Sequence, residues 1–169
     1  MKKYYEHIIL MLSIFFLSLD QFSKWLVLSN YPFGFNLTEF GNEIINNFFY
    51  ITYVKNYGAA WGILSNNVYF LCMISFIVFI ALFIFVRNEK NYTKYSIIYY
   101  SLIFGGLLGN LMDRMINGYV VDFLNFYIFG YDYPVFNLAD AFIVLGVFLL
   151  IVTEYGRDIY GSRKRKRKN

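Results

Sequence analysis

The chain has 169 residues, of which 59% are apolar and only 15% charged, with fifteen Lys and Arg against eleven Asp and Glu. A soluble domain holds roughly 45–50% apolar residues, so this composition excludes an ordinary soluble bundle and fits a single polytopic membrane domain, residues 1–169. One cysteine, Cys72, excludes an internal disulfide framework and a Cys-based zinc site, and His7 as the only histidine disfavours a His-ligated metal centre.

A bilayer-spanning helix needs ~20 mostly apolar residues, and four stretches approach that. The first, residues 7–28, is apolar apart from Asp20, Gln21 and Lys24. Lys2 and Lys3 ahead of it imitate a secretory signal, but LSLDQFSKW follows with no A-x-A pattern, so an uncleaved helix is expected. The next segment, 29–66, is too long and too apolar for a simple connector. Within it FFYITYV, residues 48–54, is β-branched and aromatic and reads as a strand. KNYGAAWGIL follows, where Gly58, Ala59 and Ala60 allow close backbone approach. The second span, 67–86, carries no charge, and the third, about 95–113, ends at Asp113 and Arg114. Segment 114–136 holds a second strand-like run with Asp122 among Val120, Val121 and Phe123. The fourth span, about 137–155, precedes a basic tail, 156–169.

Twelve of the fifteen basic residues (Lys2, Lys3, Arg87, Lys90, Lys94, Arg157 and the six from Arg163 to Lys168) fall on one side of these spans. The positive-inside rule then places both termini and the loop at 88–94 in the cytoplasm, with 29–66 and 114–136 outside. The RKRKRK tail reads as a topology anchor; an anionic-lipid or nucleic-acid patch is the alternative, and no nucleic-acid partner is expected.

On that topology, polar residues that are costly in a membrane collect at one depth, the outer interface: Asp20, Gln21, Lys24, Asn56, Asn110, Asp113, Arg114, Asp122, Asn137 and Asp140. Ionisable groups inside spans usually face a bundle interior or a cavity. Each has a plainer reading. Asp20 and Lys24, at i and i+4, pair on one helix face. Gly105, Gly106 and Gly109 permit close helix packing. Asn137 is a candidate N-cap, with Asp140 at N3, where a carboxylate favours the helix dipole. The set as a whole is harder to dismiss than its members.

Ser23 and Lys24 are adjacent on a helix and point about 100° apart, so they do not readily form a Ser/Lys pair. A carboxylate metal site from Asp113, Asp122 and Asp140 is possible, but Arg114 argues against it. The economical chemistry is two aspartates sharing a proton, one acting as base on a water and the other as acid. It needs no cofactor and no metal. Spacing alone does not choose between Asp113 and Asp122 as the partner of Asp140. The apolar neighbours of Asp122 favour it, whereas Arg114 beside Asp113 would keep that carboxyl ionised.

DQFSK at 20–24, NYGAAWG at 56–62, GNLMDR at 109–114, GYVVDF at 118–123 and FNLAD at 136–140, in this order across four spans, resemble the lipoprotein signal peptidases (signal peptidase II), membrane aspartyl peptidases of bacteria. Tyr57 stands where Thr is common in that family, and Ala141 where Ser is common. The resemblance implies four transmembrane helices with an extracytoplasmic β-cradle and a short helical element on the outer face. It implies a diacylglyceryl-prolipoprotein substrate, cut just before the lipidated lipobox cysteine, in the bacterial cytoplasmic membrane and in contact with membrane lipid. It also implies Asp122 and Asp140 as the catalytic pair, with Asp20, Lys24, Asn56, Gly58, Asn110, Asp113, Arg114 and Asn137 orienting the pair or contacting substrate. The rival from another class is a small proton-coupled transporter using the acids as a relay. Clustering of the acids near one face and the lack of a repeated half disfavour it.

Overall fold

In the computed structural model, which describes residues 2–30, 43–58, 67–89 and 92–166, four long helices carry a small sheet at one end. The order is α1 (Lys2–Asn30), β1 (Glu43–Ile45), β2 (Phe49–Asn56), α2 (Val68–Asn88), α3 (Lys94–Asn117), β3 (Val120–Ile128), β4 (Tyr131–Asp132) and α4 (Leu138–Lys166). All four helices are long and apolar enough to cross a membrane, α4 through its Leu138–Arg157 portion. Helix α3 runs past the expected boundary at 113 to Asn117, through Asp113 and Arg114, because both side chains find partners against the bundle. Helix α4 continues well beyond 155, where a tail was expected; Lys and Arg are good helix formers, so the basic run does not stop it. The extra helical element implied by the resemblance has no counterpart among the described residues. Ala59 and Ala60 lie outside those residues, and of the close-approach stretch only Gly58 is described.

Helix α3 is the hub and packs on α1, α2 and α4. Its N-terminus is closed by a capping box in which Ser96 N donates to Thr93 Oγ1 (3.0 Å) and Thr93 N donates to Ser96 Oγ. The closest approaches depend on glycine. A Cβ at Gly106 would collide with the Ala139 carbonyl oxygen, and one at Gly109 would stand 2.5 Å from Asp20 Oδ2. The small-residue face therefore does more than bring backbones together: at Gly109 it leaves room for a buried carboxylate. Helix α2 is peripheral, with only Leu71 and Val86 buried and Phe76, Ile77 and Phe85 turned outward. Those rings and aliphatic groups suit contact with lipid tails.

The sheet is antiparallel in the order β1-β2-β3-β4. It packs through Tyr53, Val121 and Phe123 against Val27 of α1, with Leu138 of α4 beside them. Helix α3 ends on Gly118 in the left-handed conformation (φ 76°), whose N–H donates to Arg114 O, a glycine C-cap. The chain can thus reverse and enter β3 two residues later, which brings Asp122 back over the helix it has just left. Between β2 and β3 the register pairs Ile51 with Leu124 and then Val54 with Asp122. Two residues, Thr52 and Tyr53, therefore oppose the single Phe123, and both are buried, as in a β-bulge. The bulge resets the face of the strand so that Val54 and Asn56 share the side of Asp122.

Candidate active site

Ten polar residues singled out in the sequence converge where the sheet meets the ends of α1, α3 and α4. The centre is the first turn of α4. Asn137 Oδ1 accepts the backbone N–H of Asp140 (3.0 Å), and Asp140 Oδ2 accepts the backbone N–H of Asn137 (3.3 Å). This is a reciprocal capping box built from Asn and Asp. It fixes the Asp140 carboxylate at the positive end of the helix dipole. The amide of the same Asn137 also donates through Nδ2 to Asp122 Oδ1 (2.7 Å) and to Asn110 Oδ1 (3.1 Å). One residue thus holds both aspartates.

Each carboxylate has a second amide. Asn56 Nδ2 donates to Asp122 Oδ2 (2.8 Å) from the neighbouring strand, the diagonal contact made available by the bulge. Asn110 Nδ2 donates to Asp140 Oδ1 (2.7 Å) from α3. The orientation of Asn110 is set by charge: its Oδ1 accepts from Lys24 Nζ (3.2 Å), so its N–H faces Asp140. Asp122 is buried, whereas Asp140 is partly open. Burial first, and then the negative charge of Asp140, push the Asp122 carboxyl up to about 7 from its ordinary 3.8, against the opposing pull of the Asn56 and Asn137 hydrogen bonds.

Beneath this pair lies a buried ionic layer. Lys24 Nζ reaches Asp20 Oδ2 at 2.8 Å and Asp113 Oδ2 at 2.9 Å, and with Asn110 Oδ1 its three donors have three acceptors. Asp20 Oδ1 accepts the backbone N–H of Ala139 (2.9 Å), so α1 supplies a second cap to α4. Asp113 Oδ2 accepts the backbone N–H of Val121 (3.1 Å) and ties down the strand one residue before Asp122. Of the two kinds of partner open to Asp113 in the sequence, Arg114 or another basic group, the structure shows the second: its cation is Lys24, brought from another helix. Arg114 instead donates from Nη2 to Gly58 O and from Nη1 to Asn110 O, both at 3.3 Å. Gly58 N in turn donates to Asn56 Oδ1 (2.9 Å), so Arg114 and Gly58 fix the Asn56 amide that serves Asp122.

The family model described as signal peptidase (SPase) II matches residues 12–155. The chain belongs to the signal peptidase II family. Its membership makes it an aspartic-type peptidase, and it is a bacterial membrane protein. The lipoprotein signal peptidase of Staphylococcus haemolyticus is 41% identical over 151 residues, 89% of this chain and 92% of the relative. That of Staphylococcus epidermidis is 43% identical over 152 residues, 90% of this chain and 91% of the relative. A bacterial membrane enzyme solved by the in meso method at 2.3 Å resolution superposes with a TM-score of 0.80 at 37% identity, covering 89% of this chain and 88% of that one.

Within this signal peptidase II fold, Gln21, one of the interfacial polar residues of the sequence, adds a further tie between α1 and α3. Gln21 Nε2 donates to Asp113 Oδ1 (2.9 Å) and Asp20 Oδ2 (3.2 Å), with Gly109 O at 3.3 Å. Its adjacency to Asp20 is visible in the sequence; its reach to Asp113 on α3 depends on packing. Among the described residues no group of three or more His, Cys, Asp or Glu converges, because Asp113 is turned to Lys24 and Val121 instead of to Asp122 and Asp140.

Proposed function

We propose that this chain cleaves the signal peptide from diacylglyceryl-modified prolipoproteins immediately before the lipidated cysteine, with Asp122 and Asp140 as the catalytic pair. The family supports lipoprotein precursors as substrates. The observation that carries the catalytic assignment is Asn137, which donates to Asp122 through its side chain and to Asp140 through its backbone. It thereby sets two carboxyls of different burial against one another.

In the reactive form Asp122, whose carboxyl is raised by burial, holds the proton, and Asp140 acts as the base. Asp140 takes a proton from a water, and the water oxygen bonds to the scissile carbonyl carbon as Asp122 gives its proton to the carbonyl oxygen. In the collapse of the resulting diol, the C–N bond breaks. Asp140 passes its proton to the leaving amine, and a diol hydroxyl returns one to Asp122. The products are the carboxyl end of the signal peptide and a free amino group on the lipidated cysteine. Water in equals water split, and the pair ends as it began.

Lys2 and Lys3 of α1, Arg87 of α2, Lys94 of α3 and Arg157 of α4 lie toward the helix ends away from the sheet, and by the positive-inside rule this supports cytoplasmic termini with the site at the outer face. A diacylglyceryl cysteine is held at that interface because its acyl chains stay in the bilayer. The decisive experiment incubates the purified protein with lipidated and unlipidated forms of one precursor. Cleavage of the lipidated form alone is expected, and equal cleavage of both would overturn the lipid requirement. Asp122→Asn and Asp140→Asn are each expected to lower turnover by on the order of 10⁴-fold while the protein stays folded in the membrane; full turnover by either removes the pair. Excess chelator is expected to leave cleavage intact, and inhibition reversed by a divalent ion would speak for a metal.

A further inference from the structure

At the end of the bundle opposite the sheet, α1 and α2 both pack on α3 and leave a cleft of about 250 Å³ between them. Its walls are Leu10 of α1 with Phe79 and Phe83 of α2, and its floor is Phe104 and Leu108 of α3. Inside, the one polar lining residue is Ser13, whose hydroxyl donates to Ile9 O (2.7 Å); the charged groups lie at the mouth. There Arg87 Nη1 reaches across from α2 to Glu6 Oε2 of α1 at 3.4 Å, with the Arg87 side chain 61% exposed. Lys2 Nζ donates to the Arg87 carbonyl oxygen and so adds a second cation. His7 is held beside them by a bond from Nδ1 to Lys3 O. The other carboxylate oxygen, Glu6 Oε1, is buried and has no hydrogen-bond partner among the described residues. A buried acceptor without a donor costs about 1–3 kcal/mol, so the mouth lacks a donor that something else supplies.

We infer that this cleft binds one acyl chain of an anionic glycerophospholipid, with the head-group phosphate on Arg87 and Lys2 and a head-group hydroxyl donating to Glu6 Oε1. Position favours this occupant over a peptide. Leu10 and Phe83, which line the cleft, are themselves about half exposed on the outer surface of membrane-spanning helices, so the cleft opens toward the bilayer, where acyl chains are the surrounding medium. Charge gives the head group: two cations with one pairing carboxylate favour an anion, and guanidinium matches phosphate geometry. The open acceptor selects a head group that carries a donor. The site is remote from the aspartates and does not depend on the proposed reaction.

The test uses the full chain, stripped of lipid by detergent exchange, and native mass spectrometry with three defined lipids of identical acyl chains. Phosphatidylglycerol is anionic with hydroxyls, phosphatidylmethanol is anionic without one, and phosphatidylcholine is zwitterionic. Phosphatidylglycerol is expected to bind about tenfold tighter than phosphatidylcholine, the effect of one charge-assisted bond, with phosphatidylmethanol between them. Arg87→Gln is expected to bring phosphatidylmethanol to the phosphatidylcholine level, and Glu6→Leu, which removes the acceptor that Gln would keep, to erase the advantage of phosphatidylglycerol over phosphatidylmethanol. Leu10→Trp, which fills the cleft, is expected to weaken all three. Thermal unfolding checks that each variant is folded, and for a variant that is not, Arg87→Met and Leu10→Phe replace it. Equal binding of the three lipids, unchanged selectivity in Arg87→Gln, or displacement of lipid by a basic signal-peptide helix would each overturn the inference.

Discussion

Asp113 Oδ2 accepts the backbone N–H of Val121 at 3.1 Å while pairing with Lys24 at 2.9 Å. One carboxylate therefore joins α1, α3 and the start of β3, and the residue it fastens is the neighbour of Asp122. Its other oxygen takes Gln21 Nε2. In Asp113→Asn the single remaining oxygen cannot serve all three donors. Lys24 keeps Asp20, so the expected loss of stability is roughly 1–3 kcal/mol. The strand carrying Asp122 is expected to shift enough to lower kcat by about 10²-fold, with KM little changed. Steady-state kinetics on a lipidated peptide, with thermal unfolding on the same preparation, check both. A variant that loses stability but keeps kcat would show that the Val121 tether does not position the acid.

Asp122 makes the reaction pH-dependent in a stated direction. Its carboxyl is raised to about 7, and the proposed mechanism needs it protonated, so kcat is expected to fall as pH rises through about 7. Stability follows the same sign. Below the unfolded value of 3.8 both states hold the proton and the group contributes nothing. Between 3.8 and about 7 the unfolded chain ionises first, so stability is lost progressively as pH rises, and the loss levels off above about 7. Asp122→Asn is expected to remove that slope. Unfolding temperatures from pH 4 to 9 for both proteins test it; identical slopes would contradict the assignment.

The sequence shows the four spans, because hydropathy is a local property, and all four stretches form helices. It also shows the cap at Asn137 and Asp140, because both halves of a capping box lie within four residues. The choice between Asp113 and Asp122 was open on spacing. The environment that distinguishes them, the Lys24 ammonium on Asp113, comes from a residue 89 positions away in the chain and depends on α1–α3 packing. The obvious neighbour, Arg114, turned out to hold Gly58; adjacent helical residues point about 100° apart, so sequence adjacency was a poor guide. The bulge at Thr52 and Tyr53 was equally hidden. The β-branched and aromatic content of FFYITYV marks a strand, but which residue opposes Phe123 is a property of two strands together.

Gly109 tests how tightly the buried ionic layer is packed. A methyl there would stand 2.5 Å from Asp20 Oδ2 and 3.2 Å from the Ala139 Cβ. Asp20 cannot yield freely, since it is held by Lys24 and by the Ala139 amide. Gly109→Ala is therefore expected to destabilise by about 1–3 kcal/mol, despite the better helix propensity of Ala. Thermal unfolding measures it. If α3 gained stability instead, the carboxylate would have to be able to move away at little cost.

Asn137 performs two separable tasks, and two substitutions divide them. Its Oδ1 caps α4, and its Nδ2 bonds Asp122 and Asn110. Asn137→Ser keeps an N-cap oxygen but removes the amide donors. Asn137→Ala removes both, at a further expected cost of about 1 kcal/mol in stability. The hydrogen bond from Asn137 lowers the Asp122 value, so its loss is expected in both variants to move the falling limb of the kcat–pH profile above about 7. A shared limb shift with different stabilities would identify the amide as the group that sets Asp122. If the limb stays in place while only stability changes, Asn137 is a helix cap and no more, and Asp122 is set by its burial and by Asn56 instead.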